Sequence, residues 1–177
     1  MYRPNAYSFV VGVHPDCRTT LLFPKEIDRV LFRLVFLASA LLMPLPGWTQ
    51  QAQLPLLELS AGVHRIEAEV AASFGSRQAG LMQRTRMAPQ RGMLFVFPEL
   101  ARHCMWMRNT LLPLSVAFLD DKGQIINVEE MQPQTDDNHC ATQPARYALE
   151  MNQGWFNSRG LGPGVSIVGI DKAPSGR

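Results

Sequence analysis

The chain has 177 residues, of which 46% are apolar and 18% charged; this length and composition suit one folded domain and exclude an intrinsically disordered protein. The formal net charge of +2 comes from the first 52 residues, since residues 53–177 hold twelve basic and twelve acidic side chains. A charge-balanced body offers no electrostatic basis for binding nucleic acid or an anionic membrane surface, so we expect neither partner.

The segment 30–52, VLFRLVFLASALLMPLPGWTQQA, has the layout of a secretory signal peptide. Arg29 and Arg33 flank the start of an apolar stretch of about ten residues, whereas a membrane-spanning helix needs about twenty. A buried helix is the alternative, but Pro44 and Pro46 would end it. We therefore predict removal of this segment, a periplasmic or secreted location and no permanent membrane span.

Residues 1–29 precede this leader, although signal peptides begin near the initiator. We interpret them as an upstream extension from a mis-called start, with translation beginning near Val30 or Leu31. If the extension is translated, the apolar stretch becomes an uncleaved anchor instead. Cleavage after Ala52 is expected, although Gln50 is not the small residue usual at that position.

Three elements are predicted in the first part of the mature chain. HRIEAEVA at 64–71 alternates apolar and charged residues, which is typical of a half-buried strand. The next segment offers Ser73 or Ser76 as an N-cap, so we predict a short helix over about 76–84. GMLFVFP at 92–98 is rich in Phe and Val, which favours a strand buried on both faces.

Two further strands, CMWMR and LSVAFLD, are interrupted at 109–113. The second continues through turn-forming residues ending at Gly123 into QIINVEEM, which predicts a hairpin. Segment 132–144 is a polar loop that exceeds the usual length of roughly four to six residues. Long loops of this kind are commonly functional or tethered.

The remaining elements are a strand over ARYALEM, a short helix over QGWFNSRG and a terminal strand over GVSIVGI. About seven short strands without strand–helix alternation argue against a doubly wound parallel sheet. We predict a mainly β (β-rich α+β) fold, a compact antiparallel β barrel or rolled sheet with two short helices. Residues 53–171 would form one domain and residues 172–177 a flexible tail.

Two cysteines, Cys104 and Cys140, remain once the leader is removed. In an oxidising compartment such residues pair more often than they stay free. A disulfide would tie the start of a core strand to the long polar loop and contribute on the order of 3 to 4 kcal/mol. One buried and one exposed thiol is the alternative that the spacing leaves open.

A soft-ligand set that suits Cu(I) is also present: His103, Cys104, Met105, Met107, Met131, His139 and Cys140. In a strand, Met105 and Met107 lie on the opposite face from Cys104, so one ion cannot easily bind all three. Methionines beside phenylalanines are typical of core packing. We therefore predict no metal and no cofactor.

The sequence carries no recognised catalytic motif. Ser115 lacks the context of a nucleophile elbow, the histidines of the mature chain form no triad motif, and no Gly-rich phosphate loop occurs. Several carboxylates would serve as acid and base, but no spacing selects a pair. We assign no catalytic residue on this basis.

Polar and aromatic residues near the ends of the predicted elements would form a small-ligand cleft: Arg77, Arg84, Trp106, Asn109, Thr110 and Glu150. Trp106 would stack on a sugar or another ring, and Asn109 would orient that ligand by hydrogen bonds. The alternative is structural, with Arg84 paired with Glu150 and Trp106 buried. In that case Asn109 caps the turn before Pro113.

Five ordered blocks resemble the family called domain of unknown function 192 (DUF192): RQAGLMQR, RGMLFVFP, CMWMRNTLLPL, RYALEM and GLGPGVSI. The resemblance covers roughly residues 60–171 and is to an exported, proteobacterial-type member. It implies a compact, mostly β fold and an exported location. It implies no established biochemical activity.

The chain departs from the family pattern at two positions. The family typically has Asp where this chain has Ser115, and it has Asp after the glycine where this chain has Val165 after Gly164. If the first Asp were an essential acid or base, its loss would place catalysis in doubt. The change fits a binding or structural role better.

We therefore predict a non-enzymatic exported module that binds a small polar ligand or an envelope protein near Trp106, Asn109 and Arg84. The alternative is a hydrolase that acts on an envelope saccharide or peptide through Glu150 and an arginine. A second carboxylate at roughly 5 to 9 Å from Glu150 would favour the hydrolase.

Overall fold

The computed structural model describes residues 53–177. The predicted leader and upstream extension lie outside the described residues. Nine strands, one α-helix and two 3₁₀ turns follow in chain order: β1 (Leu56–Ala61), β2 (His64–Ala71), α1 (Phe74–Ala79), β3 (Arg91–Ala101), β4 (Cys104–Met105), β5 (Leu114–Leu119), β6 (Ile125–Met131), β7 (His139–Cys140), β8 (Ala145–Asn152), a 3₁₀ turn (Asn157–Arg159), β9 (Ile167–Val168) and a 3₁₀ turn (Ile170–Lys172).

Seven strands form one sheet in the order β6-β5-β8-β3-β2-β1-β9, and β4 pairs with β7 in a separate ribbon. Every pairing is antiparallel except that of β2 with β3. These two strands run parallel because α1 and the following loop return the chain to the same end of the sheet. The predicted mainly β, mainly antiparallel fold is confirmed, and this parallel pair is an addition to it.

The two edges of the sheet meet at one end. Gln124, just before β6, forms a bridge with Ser166, just before β9. The amide of Ile125 also donates to the carbonyl of Val165 at 2.8 Å. Because edge strands that are six strands apart touch here, the sheet is rolled, as the sequence predicts.

Apolar side chains cover both faces of the rolled sheet. One core cluster includes Leu94 of β3 and Leu149 and Met151 of β8. The second includes Phe95 and Ala148, which alternate with them along the same two strands. Successive side chains of a strand point to opposite faces, so a strand covered on both sides must be apolar at nearly every position. This explains the uninterrupted apolar run that the sequence shows in β3.

Glycines with positive φ shorten two of the predicted elements. α1 starts at Phe74 with Ser73 and Ser76 in a capping box and ends at Gly80, where φ is +46°. The predicted terminal strand is reduced to Ile167–Val168 because Gly164 and Gly169 have φ values of +91° and +92°.

Other elements differ from the prediction in length or number. The second predicted helix is only the 3₁₀ turn Asn157–Arg159, and β1 and β7 are additional strands. The predicted strand CMWMR is limited to Cys104–Met105 because β7 offers only two partner residues.

The chain end contacts the body of the molecule. The amide of Arg177 donates to the carbonyl of Ala72 at 2.8 Å, close to the start of α1. Gly176 packs closely against the backbone of Phe97. A Cβ atom at position 176 would lie within 3 Å of the Phe97 carbonyl group. These contacts place residues 176 and 177 against the elements that surround the site described next.

Candidate functional site

A cavity of about 260 Å³ lies between α1, β3, β8 and the segment that follows β4. Its lining is mostly apolar, with four polar side chains among the residues that surround it: Phe74, Arg77, Gln78, Ala79, Gly80, Leu81, Met82, Phe95, Phe97, Cys104, Met105, Trp106, Thr110 and Glu150. A largely apolar concavity with a few polar groups is the usual form of a small-molecule site. The volume is slightly below the roughly 300 Å³ at which drug-sized sites begin, so it suits a compact ligand.

Glu150 is a buried polar residue of the cavity lining. It lies on β8 between Met93 of β3 and Val116 of β5, which are its paired neighbours. Only 4% of Glu150 is exposed, and no group among residues 53–177 donates a hydrogen bond to its carboxyl. Burial disfavours the ionised form and raises the pKa of Glu150 to about 8, so this carboxyl is mainly protonated at neutral pH.

Arg77 forms part of the wall contributed by α1. Its Nη1 donates to the carbonyls of Ala72 at 2.7 Å and of Val96 at 3.0 Å. These contacts tie the helix to the preceding residues and to β3. They hold a permanent positive charge at the side of the cavity without an acidic partner among the described lining residues.

Two aromatic residues stand at the cavity in exposed positions. Phe74 is 71% exposed and Trp106 is 42% exposed, which is unusual for large apolar side chains. The guanidinium of Arg108 lies 4.4 Å from the ring centroid of Trp106 and pairs with Asp136 at 2.8 Å. The indole is therefore supported by a cation–π contact while it remains accessible.

The ribbon of β4 and β7 supports the same wall. Cys104 and Cys140 are directly paired across it, and their sulfur atoms lie at disulfide distance, 2.02 Å. This is the pairing that the sequence analysis predicts. Because Cys104 lines the cavity, the bond connects the cavity wall to the loop that carries Cys140.

The cavity brings together four of the six residues selected from the sequence: Arg77, Trp106, Thr110 and Glu150. Arg84 and Asn109 do not line it. Asn109 adopts a left-handed φ of +60° in an exposed turn, where its carbonyl accepts a hydrogen bond from the amide of Gln83 at 2.9 Å.

Arg84 forms a bidentate ion pair with Glu69 of β2, with N–O distances of 2.5 and 2.7 Å. Hydrogen bonding from Arg84 lowers the pKa of Glu69. The alternative pairing of Arg84 with Glu150 is not formed. The partner is Glu69 because β2 lies beside the loop that follows α1, which the sequence order does not reveal.

Several cavity residues were not selected from the sequence. Phe95 and Phe97 belong to the predicted strand 92–98, and their spacing of two places them on one face. Phe74 directly follows a possible N-cap residue, and an aromatic side chain at the start of a short helix is the signal that would have drawn attention to it. The sequence alone did not show that these residues face Glu150.

The described part of the chain offers few groups for other chemistries. Of the described residues, Glu150 supplies the one carboxyl that lines this cavity. Within residues 53–177, no three His, Cys, Asp or Glu side chains converge as metal ligands would. No helix in this part of the protein has the length and apolar character to span a bilayer.

A rolled, mainly antiparallel β domain with an apolar cavity and a buried carboxyl is the class that fold and site define. The chain belongs to the domain of unknown function 192 family, described as "Uncharacterized ACR", whose profile matches residues 57–169. No curated protein matches the chain.

Two solved structures are similar to this protein. One, provisionally described as a transcription regulator, is from Sinorhizobium meliloti 1021; it is 34% identical with a TM-score of 0.61, over 65% of this chain and 92% of the other. The other, a protein of unknown function from Novosphingobium aromaticivorans DSM 12444, is 26% identical with a TM-score of 0.64, over 70% and 92% of the two chains.

The family departure at Ser115 lies outside the cavity. The Ser115 hydroxyl donates to the Glu130 carboxylate at 2.7 Å and accepts a hydrogen bond from the amide of Gly154 at 2.8 Å. Asn157 also donates to Glu130, at 3.0 Å. In this chain the position anchors the turn after β8 to β5 and β6.

Proposed function

We propose that this protein is an exported, non-enzymatic module that binds a compact small molecule in the cavity around Glu150. The observation that carries the proposal is a buried carboxyl that opens into a largely apolar cavity and has no hydrogen-bond partner among the described residues. Among residues 53–177, the one side-chain polar atom both fully enclosed and unpaired is Trp155 Nε1; the oxygens of Glu150 are therefore accessible from the cavity and available to a ligand. A fold that needed only stability would place an apolar residue at this position.

The exposed aromatic residues support the same proposal. Phe74 and Trp106 both line the cavity with much of their surface open to solvent, so they are available to contact a ligand there. Trp106 is the stacking residue, and Arg77 and Thr110 supply polar contacts beside it. Arg84 and Asn109 are left out of the binding set because neither lines the cavity.

The alternative is a hydrolase in which Glu150 donates a proton to an envelope saccharide or peptide. Its raised pKa suits a general acid. Glycosidase chemistry needs a second carboxyl roughly 5 to 9.5 Å away, and the described lining residues supply none. We therefore favour binding over hydrolysis.

The description of the Sinorhizobium meliloti protein is not extended to this chain. A DNA-binding regulator relies on a basic surface to contact phosphates. Residues 53–177 hold equal numbers of basic and acidic side chains, so they lack that charge excess.

A fragment screen by NMR on the purified, oxidised protein tests the proposal. We expect hits that perturb Trp106 and are lost in Ala79→Trp, because Ala79 lines the cavity and a large side chain there fills it. Ala88→Trp is the matched control, since Ala88 is exposed in a loop that does not line the cavity. Hits retained equally by both variants would overturn the proposal, and turnover of a saccharide or peptide fragment would favour the hydrolase.

A further inference from the structure

We infer that the ligand carries an uncharged amide-type edge on a flat apolar body, and that this edge pairs with the buried carboxyl of Glu150 in the cavity. An amide-type edge presents a hydrogen-bond donor and an acceptor side by side. A carboxylic acid presents the complementary acceptor and donor, so the two groups form two hydrogen bonds at once. This inference rests on the proposed function and specifies the chemistry of its ligand.

The protonation state of Glu150 decides which ligand groups it can pair with. Glu150 is 4% exposed, and its neighbours across the sheet are Met93 and Val116. No donor or cation among residues 53–177 contacts it, so the charged form would be buried without compensation. Burial raises the pKa of Glu150 to about 8, which agrees with a neutral carboxyl in the free protein.

The charged residues that line the cavity limit the charge of the ligand. Among the lining residues, Arg77 of α1 is the only other charged group, and Cys104 does not titrate because it is in the disulfide. The face contributed by β3 is apolar, with Phe95 and Phe97. A cationic ligand would be buried beside Arg77, which is unfavourable.

An anionic ligand is also disfavoured. Arg77 uses its Nη1 donors for two backbone carbonyls and keeps its charge and its Nε and Nη2 donors, so Glu150 is the group that disfavours an anion. Glu150 offers a single donor when protonated, and it repels an anion when ionised. A neutral group with both a donor and an acceptor therefore suits the cavity best.

The volume and lining of the cavity limit the shape of the ligand body. The cavity of about 260 Å³ is bounded by aromatic and apolar side chains, with Phe74 and Trp106 exposed beside it. Aromatic residues bind flat rings by stacking and edge contacts. A ring-sized molecule such as benzamide combines this shape with the required edge.

The test compares three probes of the same size, benzamide, benzoate and benzylamine, by calorimetry on the protein with its disulfide intact. We expect benzamide to bind at least about tenfold more tightly than either charged probe. Because only protonated Glu150 pairs with the amide, the benzamide affinity should fall about tenfold between about pH 7 and pH 9.

Two substitutions separate pairing from packing. Glu150→Gln keeps a donor and an acceptor but does not titrate, so it should retain benzamide binding and lose the pH dependence. Glu150→Met keeps the length of the side chain without either group, and it should weaken benzamide at least about tenfold. Circular dichroism and thermal unfolding confirm that each variant is folded.

The failures are distinguishable. Tightest binding by benzylamine, rising with pH and lost in Glu150→Gln, would show a cation site and overturn the inference while the proposed function stands. Tightest binding by benzoate would do the same in favour of an anion site. If benzamide does not bind but other fragments lose binding in Ala79→Trp, the inference about the amide edge is overturned and the proposed function stands. If no fragment loses binding in Ala79→Trp, the inference and the proposed function are both overturned.

Discussion

At the level of single residues, Glu150 is the side chain that works against the stability of the fold. It lies between Met93 and Val116, which both belong to a hydrophobic cluster. Ionisation of this carboxyl inside the protein is unfavourable, whereas in the unfolded chain it ionises freely. The stability of the free protein should therefore depend on pH through this residue.

The first prediction concerns this pH dependence. The folded pKa of Glu150, about 8, lies above the ordinary value of 4.5, so the folded state holds a proton that the unfolded state releases. The free energy of unfolding should then fall as pH rises from about 4.5 to about 8, and it should level off above that range. Integrated over this range, the loss is of the order of 3 to 5 kcal/mol.

Urea unfolding of the wild type and Glu150→Gln between about pH 5 and pH 9 checks this prediction. The difference between the two proteins should grow with pH, with the variant gaining relative stability at alkaline pH. Glu99→Gln is the control for the change in charge, because Glu99 is exposed on β3. A constant difference between wild type and Glu150→Gln across the range would contradict the prediction.

At the level of elements, the cavity depends on α1 and β4, two short elements of residues 53–177 that form no backbone hydrogen bonds with the strands of the main sheet. α1 is six residues long and is fixed by Arg77, which bonds to carbonyls of Ala72 and Val96. β4 pairs only with β7, over two residues. Isolated pairs of such short strands are unstable in water. We therefore expect the disulfide to stabilise the pairing of β4 with β7.

The second prediction concerns the disulfide. Replacing Cys104 and Cys140 by Ala together should lower the free energy of unfolding by roughly 3 kcal/mol. In hydrogen exchange, the amides that hold this region, those of Met107 and Ala141, should lose protection. Amides of β8, which is paired on both sides with β5 and β3, should lose protection only through global unfolding.

Reduction of the wild type should reproduce the behaviour of the double variant. A reductant added to the double variant should then change nothing further, which controls for effects of the reductant itself. Equal protection at Met107 and Ala141 with and without the bond would show that the disulfide does not hold the cavity wall.

At the level of the whole molecule, residues 53–177 belong to one compact unit with apolar clusters on both faces of the sheet. The two sheet edges meet at Gln124 and Ser166, which leaves little of the edge open at that end. A body of this kind has its own core, and we propose that the segment before it directs export.

The third prediction concerns location. When the full chain is produced in a bacterium with an intact secretory system, we expect a periplasmic product that begins near Gln53 and has no free thiol at Cys104 or Cys140. Mass spectrometry with and without reduction identifies both features. Leu37→Arg, which breaks the apolar stretch, should retain the protein in the cytosol.

Cytosolic wild-type protein with two alkylatable thiols would contradict the assignment. Leu57→Arg is a control of the same chemistry beyond the leader, and it should affect stability rather than export, because Leu57 packs against the first core cluster.

The amino-acid pattern by itself determined the β-rich class, the hairpin of β5 and β6 and the strands β2, β3 and β8. Side-chain periodicity and turn residues are local properties, so they can be recognised without knowing what each strand faces. The pattern also pointed to Arg77, Trp106, Thr110 and Glu150, because polar and aromatic residues stand out against apolar surroundings.

Only the tertiary structure decided which of these residues meet. The pairing of Glu69 with Arg84, the parallel contact of β2 with β3 and the isolation of Glu150 arise from elements far apart in the chain. The length of β4 was likewise limited by its partner, and those of α1 and β9 by backbone conformation at residues such as Gly80 and Gly169. Contacts between distant segments depend on how the whole sheet rolls, and local sequence carries no record of that geometry.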